Sequence, residues 1–232
     1  MRTLVIGSIL VLGACGGELG TLEDPSLHAE WSSLSAAPPK LSNTARFEDA
    51  TGIDVATNVS YCGGAGQATC AAIPPAVDPV QVRWGVPEPG DPRSGLGYTA
   101  TPPQQVSLTG PFVIGSLTHY NFPVTRGTAV ASVDLALQVR VDPAGGGTPL
   151  FNELIAIDLT IDETLNEEPC EYQSAAPCAD AVILPSSVGR SFRSTVLPYT
   201  YTLDILGFNS ASTGLGTPVT EFISQENGST TA

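Results

Sequence analysis

Residues 133–141 read VDLALQVRV and residues 155–162 read IAIDLTID. In the first run Val133, Leu135, Leu137, Val139 and Val141 alternate with Asp134, Ala136, Gln138 and Arg140. In the second, Ile155, Ile157, Leu159 and Ile161 alternate with Ala156, Asp158, Thr160 and Asp162. Successive side chains of a strand point to opposite faces, so each run describes a half-buried strand with one wet face. A third run sets Tyr199, Tyr201, Leu203 and Ile205 against Thr200, Thr202 and Asp204. Shorter candidates lie at 55–60, 80–84, 111–115, 181–185 and 218–224, separated by Gly or Pro clusters such as Pro87 to Gly97 and Pro143 to Pro149. Past the first 14 residues, no stretch keeps a 3.6-residue period over three turns. Half-buried antiparallel strands at this spacing close into a two-sheet β-sandwich or jelly roll, so the expected fold is all-β.

Composition agrees with that pattern. The 232 residues include 24 glycines and 20 prolines, a turn-rich content unlike a helical bundle, and 42% hydrophobic residues, ordinary for a packed domain. Nine basic residues face 23 acidic ones, for a net charge of −14. Lys40 is the single lysine and the arginines are scattered, so no basic patch exists to neutralise phosphates, and nucleic acid is excluded as a partner.

Residues 1–14, MRTLVIGSILVLGA, carry one positive charge at Arg2, then a short apolar run, then small residues. That is the layout of a secretory signal, too short for a permanent transmembrane helix. Leu12-Gly13-Ala14-Cys15 resembles the bacterial lipobox, in which the signal is cut before a cysteine whose thiol becomes a diacylglyceryl thioether. An apolar residue followed by two small ones fits a narrow peptidase site, and only a thiol accepts the lipid. The resemblance implies lipidation at Cys15, further acylation of the new N-terminus, and stable anchoring by several chains. Gly16 and Gly17 follow rather than aspartate, which by analogy with enteric sorting favours the outer membrane. Cleavage removes Arg2 and leaves eight basic against 23 acidic groups, a net charge of −15 that repels an anionic lipid surface. Residues 15–45, Gly-, Ser-, Ala- and Pro-rich with Pro38-Pro39, read as a flexible tether, and residues 46–232 as the domain. Trp31 and Leu34 are candidates for a short helix or a docking contact within that tether.

With Cys15 assigned to lipid, Cys62, Cys70, Cys170 and Cys178 remain, an even number in an exported chain. Four cysteines allow three connectivities. Both neighbouring pairs are eight residues apart in loop-like stretches, YCGGAGQATC and PCEYQSAAPC, so Cys62–Cys70 and Cys170–Cys178 are the expected bridges. A metal site lacks the two-to-four-residue spacing of a zinc knuckle and has only His28 and His119 to help. GGAG at 63–66 lacks the strand-then-helix flanks of a phosphate loop and reads as loop closure between two cysteines.

Five ordered segments are similar to the choice-of-anchor K domain, a family of exported bacterial β-proteins that includes the THxN proteins. PFVIGSLTHYNFPV (111–124) carries Thr118, His119 and Asn121 as the namesake triplet, with Pro123 after it. VRWGVPEPGDPRSGLGYT (82–99) resembles the family's Trp-Gly and Ser-Gly-Leu-Gly element. IDETLNEEPC (161–170), with Asp180 beyond it, resembles the Glu-Thr-x-Asn stretch, and YTLDILGF (201–208) and TEFISQEN (220–227) resemble the closing strands. The likeness spans about 80–226. After Glu226 the chain ends on ENGSTTA where a further apolar segment is expected, which leaves the last sheet edge shortened or open. The resemblance implies a shared domain held at the cell surface by varied devices, here the lipid on Cys15, and implies no catalytic residue.

Two residue groups are candidate sites. In an alternating strand His119 and Asn121 share one face and Thr118 and Tyr120 the other. The functional reading gives His119 and Asn121 a ligand or metal site; the plainer one, favoured here, has them hydrogen-bond a neighbouring loop before Pro123. One histidine without a second supplies neither a triad nor a metal box. The serines show no nucleophile elbow and no Ser-x-x-Lys. Asp158 and Asp162, four apart on one strand face with Glu163 beside them, have the residue types for glycan hydrolysis or for Ca²⁺ oxygen ligation. A solvated acidic face is the simpler account, and aromatic residues at 6% are thin for sugar stacking. The expectation is a non-enzymatic, monomeric envelope lipoprotein without cofactor, joined to the membrane by its N-terminal lipid. Its β-sandwich serves binding, display or envelope structure, with a glycan or protein as candidate ligand. The alternative is a carbohydrate-active or lectin-like module on the Asp158/Asp162 face.

Overall fold

The structure, a computed structural model, describes residues 3–9, 38–52, 54–70, 78–87, 89–107, 110–172, 177–185, 191–196, 199–209 and 217–232. Among them, in chain order, are β1 (Thr3–Ile9), β2 (Lys40–Gly52), α1 (Val55–Asn58), β3 (Ser60–Cys62), β4 (Val80–Trp84), β5 (Ser94–Ala100), β6 (Gln104–Gln105), β7 (Pro111–Asn121) and β8 (Val130–Asp142). The order continues with β9 (Phe151–Asp162), β10 (Asp180–Ile183), β11 (Ser191–Val196), β12 (Tyr199–Asn209), β13 (Pro218–Val219), β14 (Glu221–Ser224) and β15 (Gly228–Thr231). The first sheet runs β11-β12-β1-β7-β5-β4-β3, with β13 on β12 and β15 on β7; the second runs β14-β10-β9-β8-β2-β6. Every pairing is antiparallel, so the chain is the expected all-β sandwich.

The quoted runs build the second sheet. Val133, Leu135, Leu137 and Val139 are buried on β8, and Ile155, Ile157, Leu159 and Ile161 are buried on β9. Leu135 pairs with Ile157 and Val133 with Leu159, so the two apolar rows present one continuous face. Val82, Trp84, Leu96, Tyr98 and Leu117 meet it from the first sheet. Each fully buried aliphatic side chain contributes about 1.5–3 kcal/mol, which makes this interior the main stabilising term. Asn43 of β2 ties the layers together: its Nδ2 donates to the Ile114 carbonyl at 2.8 Å, and its Oδ1 accepts from the Tyr98 hydroxyl at 2.9 Å.

Three expectations change. Residues 55–60 do not form one strand: Val55–Asn58 form one helical turn ahead of β3, because the Thr57 hydroxyl and the Asn58 amide both donate to the Asp54 carbonyl and capture the backbone locally. β2 begins at Lys40, inside the stretch read as tether and ahead of the expected domain start at 46. Its inward positions, Leu41, Asn43, Ala45 and Phe47, mix polar and small residues with apolar ones, so the alternation is weak in sequence although Leu41 and Phe47 are fully buried. Thr3–Ile9, within the expected leader, lies as a strand between β12 and β7. An uncharged, β-branched run is equally suited to a signal core and to a strand. Cys15, Trp31 and Leu34 lie outside the described residues, as does residue 88. Among the described residues no helix is long and apolar enough to cross a membrane.

Both disulfides are those expected. Cys62–Cys70 closes the turn after β3 and Cys170–Cys178 the loop between β9 and β10, with Cα separations of 4.8 and 5.3 Å. Loops this short restrict the unfolded chain by about 2–3 kcal/mol per bridge in the chain-entropy estimate. Replacing Cys170 and Cys178 together by alanine is therefore expected to lower unfolding free energy by about that amount in a urea titration. An unchanged midpoint would show that the bridge adds nothing.

Candidate functional site

Trp84, His119 and Asn121 lie on the inner face of the first sheet, where Leu96 pairs with both Val82 and His119. Facing them from the second sheet are Glu163, just past β9, Asp180 on β10, and Ser224 on β14. Glu226 completes the group in the turn where the chain leaves β14 for β15, passing from one sheet to the other; Asn227 takes a positive φ of 60° there. His119, Asn121, Asp180 and Ser224 are 0% exposed and Glu226 7%. The polar cluster is therefore sealed beneath a corner of the sandwich.

Its internal bonding is incomplete. Asn121 Nδ2 donates to the Ser224 carbonyl at 2.8 Å, and Asp180 Oδ1 accepts from the Thr164 amide at 2.8 Å and its hydroxyl at 3.1 Å. Trp84 Nε1, both His119 ring nitrogens, Asn121 Oδ1, Glu163 Oε2, Asp180 Oδ2, Ser224 Oγ and Glu226 Oε1 are buried with no hydrogen-bond partner.

Electrostatics explain how three carboxyls share it. Burial pushes the Glu163 acid well above its usual range, and the Asp180 and Glu226 charges push it further, while the nearby Trp84 N–H offsets part of the rise. Burial raises Asp180 to about 6, opposed by the Thr164 donors and the Asn121 amide. Burial, then the Asp180 charge, raises Glu226 to about 7, against a smaller opposing contribution from Asn166. Like charges in a dry site disfavour one another's ionisation, so these acids release their protons at higher pH than exposed carboxylates do. Burial, aided by the Arg83 charge, lowers His119 to about 3, so its imidazole is neutral; it stacks with Trp84 at 6.0 Å between centroids. Among the described residues, no group of three or more His, Cys, Asp or Glu side chains is placed to hold a metal ion.

The other face of the same strands carries a second polar network, largely bonded, although Arg83 Nη2 is buried without a hydrogen-bond partner. Arg83 lies over the Tyr120 ring at 3.8 Å, its Nε donates to Gln81 Oε1 at 3.1 Å and its Nη1 to the Arg93 carbonyl at 3.2 Å. Asp78 accepts from the Tyr120 hydroxyl and from the Thr99 hydroxyl. Glycine is required beneath it: a Cβ on Gly97 would come within 2.4 Å of Asp78 Oδ2, and one on Gly95 within 2.6 Å of Arg83 Cδ. The Ser-Gly-Leu-Gly spacing thus makes room for the buried Asp78 and Arg83 side chains.

The structure places His119 and Asn121 on one face, as the alternation required, with Asn121 bonding a neighbouring strand. Thr118 sits on the other face, its hydroxyl 3.1 Å from that of Thr231 on β15. Asp158 and Asp162 belong to different surroundings. Asp162 accepts from the Tyr172 hydroxyl. Asp158 is exposed and pairs across β8 with Asp134, which pairs in turn with Glu48 on β2, giving a transverse row of three acids on the outer face of the second sheet. The sequence pattern shows Asp134 and Asp158 on wet faces, but only strand register brings them together. Glu163 stands in the sequence reading only as a neighbour of Asp158 and Asp162, and Asp180, Ser224 and Glu226 are not among its site residues; the Glu-Thr-x-Asn element and Asp180 lie in the quoted segments, without any sign that they meet.

Two outcomes follow from these charges. The buried acids are raised, so the folded chain keeps protons that the unfolded chain releases. The contribution of these acids to stability is greatest at low pH and falls as pH rises from the ordinary carboxylate range towards about 7, while His119, buried neutral, contributes in the opposite sense because the unfolded chain takes up its proton as pH falls below the ordinary imidazole range. Asp180→Asn and Glu226→Gln should each remove the acid part of that dependence, raising the melting temperature at about pH 7.5 relative to about pH 4.5 when compared with wild type, with about 1–3 kcal/mol at stake per group; parallel wild-type and variant profiles would exclude that coupling. On the outer row, Asp134→Asn should stabilise by about 0.5 kcal/mol at low salt, because like charges face each other across strands, and lose that gain in high salt. No protein-family model matches the chain, and no curated protein sequence is similar to it.

Proposed function

We propose that the chain is an envelope lipoprotein, anchored by lipid on Cys15, whose β-sandwich is a non-enzymatic binding or display module of choice-of-anchor K type. The observation that carries this reading is Leu12-Gly13-Ala14-Cys15 directly after a charged, then apolar, N-terminal run. Several features of the site support the non-catalytic half. His119 is sealed, neutral and without a hydroxyl or thiol bonded to it, so it has no nucleophile to activate. Asp180 is fully buried and its Oδ1 is taken up by the Thr164 donors. Asp162 is engaged by Tyr172, which takes one carboxylate from the Asp158/Asp162 pair that a glycosidase-like face would need. Outer-membrane placement follows from Gly16 and Gly17 by the same analogy as before.

Anchoring and ligand choice are tested together. The native protein should fractionate with membranes and show a mass corresponding to cleavage before Cys15 plus a diacylglyceryl thioether. Cys15→Ser should appear in the soluble fraction. A bare thiol on an uncut chain would sink the lipoprotein reading. Measurable hydrolysis of glycan substrates, lost on Asp158→Ala, would replace the display role with the carbohydrate-active alternative.

A further inference from the structure

β7 is the strand on which the first sheet turns. One edge carries β5, from Tyr120 opposite Gly95 to Gly115 opposite Ala100. The other edge is shared by two segments laid end to end in the same direction. β15 pairs Gly228 with Asn121 through Thr231 with Thr118, and Ala232 and Leu117 exchange both backbone hydrogen bonds at 2.7 and 2.8 Å. β1 then takes over, with Leu4 opposite Gly115 and Gly7 opposite Pro111. On its far side β1 pairs along its whole length with β12, from Thr3 opposite Asn209 to Ile9 opposite Thr202. Among the described residues, β1 is the sole strand joining β11, β12 and β13 to the rest of that sheet.

Cleavage before Cys15 would remove β1. Two strand edges, 111–115 and 202–209, would then face each other across a one-strand gap, with unpaired N–H and C=O groups above core residues Phe112, Ile114, Leu203, Ile205 and Phe208. Buried backbone groups are almost always paired, so a sheet opened there is not a stable end state. The facing edges read PFVIG and TLDILGFN, with Asp204 as their single charge in an otherwise strongly acidic chain. The segment that fills the gap, TLVIGSI, carries no charge.

Resting on the lipoprotein reading, we propose that the β7/β12 gap is a strand-acceptor slot. In the mature protein it is completed by an extended, uncharged, apolar peptide segment of a partner polypeptide, hydrogen-bonded antiparallel to both strands. Main-chain pairing on two edges supplies affinity, and the absence of charge selects the occupant, as in other cases of strand addition. Residues 1–14 would hold the slot closed until the leader is cut.

The test uses the protein purified from membranes in detergent, its N-terminus read by intact mass. The probe is a synthetic peptide of residues 2–10, RTLVIGSIL, with an Ile6→Pro version as control, since proline removes a ladder donor. If the protein is cut at Cys15, RTLVIGSIL should bind one per chain and slow amide exchange in 111–115 and 202–209 by about tenfold or more, and the proline peptide should not. Cut protein whose amides in both stretches are already slow, and stay so with peptide, overturns the proposal, because its own chain then closes the slot. If the mass shows residues 1–14 retained, the lipoprotein reading fails instead. The slot is then judged on the full chain carrying Ile6→Pro. Faster exchange in the same two stretches, reversed by RTLVIGSIL, supports a strand-accepting gap, and unchanged exchange overturns it.

Discussion

A strand in the middle of a sheet must satisfy its backbone on both sides, and β7 is where this constraint binds the whole molecule. Eleven residues long, it reaches β5 on one side and the consecutive β15 and β1 on the other. β5 brings β4 and β3, with the first disulfide at Cys62. β15 brings the carboxyl end of the chain, and β1 brings β12 and its neighbours. Its side chains do as much as its backbone: Leu117 packs in the core, while His119 and Asn121 form one wall of the sealed acidic corner and Tyr120 receives Arg83 on the opposite face. A change in what lies along this strand is felt in both polar networks at once.

Those networks show two solutions to burying polarity in a β-sandwich. On the outer face Arg83 bonds Gln81 and the Arg93 carbonyl and lies over Tyr120, Asp78 accepts from Tyr120 and Thr99, and desolvation lowers the Arg83 guanidinium only to about 10, so it stays charged. At the inner corner, among the described residues, no cation pairs with the three acids, and burial raises the pH at which each releases its proton. The corner closes the sandwich end by joining β7 to β10 and β14, and it does so with a charge state that depends on pH. That is a structural use of His119 and Asn121.

The surface itself is uneven. The second sheet presents a row of acids, Glu48, Asp134 and Asp158, beside Thr51, Ser132 and Thr160 in the next register row, where the Thr51 and Ser132 hydroxyls bond at 2.8 Å. On the first sheet the two stretches that β1 pairs with, 111–115 and 202–209, carry Asp204 as their single charge, in contrast to that acidic row.

Much of this was legible in the residues themselves. The period-two runs at 133–141 and 155–162 gave strands, faces and the sandwich, because burial of one sheet face imposes alternation directly on sequence. The equal spacing of the cysteines gave both bridges, since an eight-residue separation in a loop brings thiols together without help from the rest of the fold. β2 escaped, because Asn43 and Ala45 occupy inward positions that only the cross-sheet bonds of Asn43 justify. The turn at Val55–Asn58 escaped, because local side-chain bonding to Asp54 outweighed β-branched propensity. His119 and Asn121 could be assigned a common face from strand geometry alone. That Glu163, Asp180 and Glu226 converge on them, and that β1 and β15 share one edge of β7, depended on pairings between residues tens to more than a hundred positions apart, and such pairings are set by three-dimensional packing rather than by local pattern.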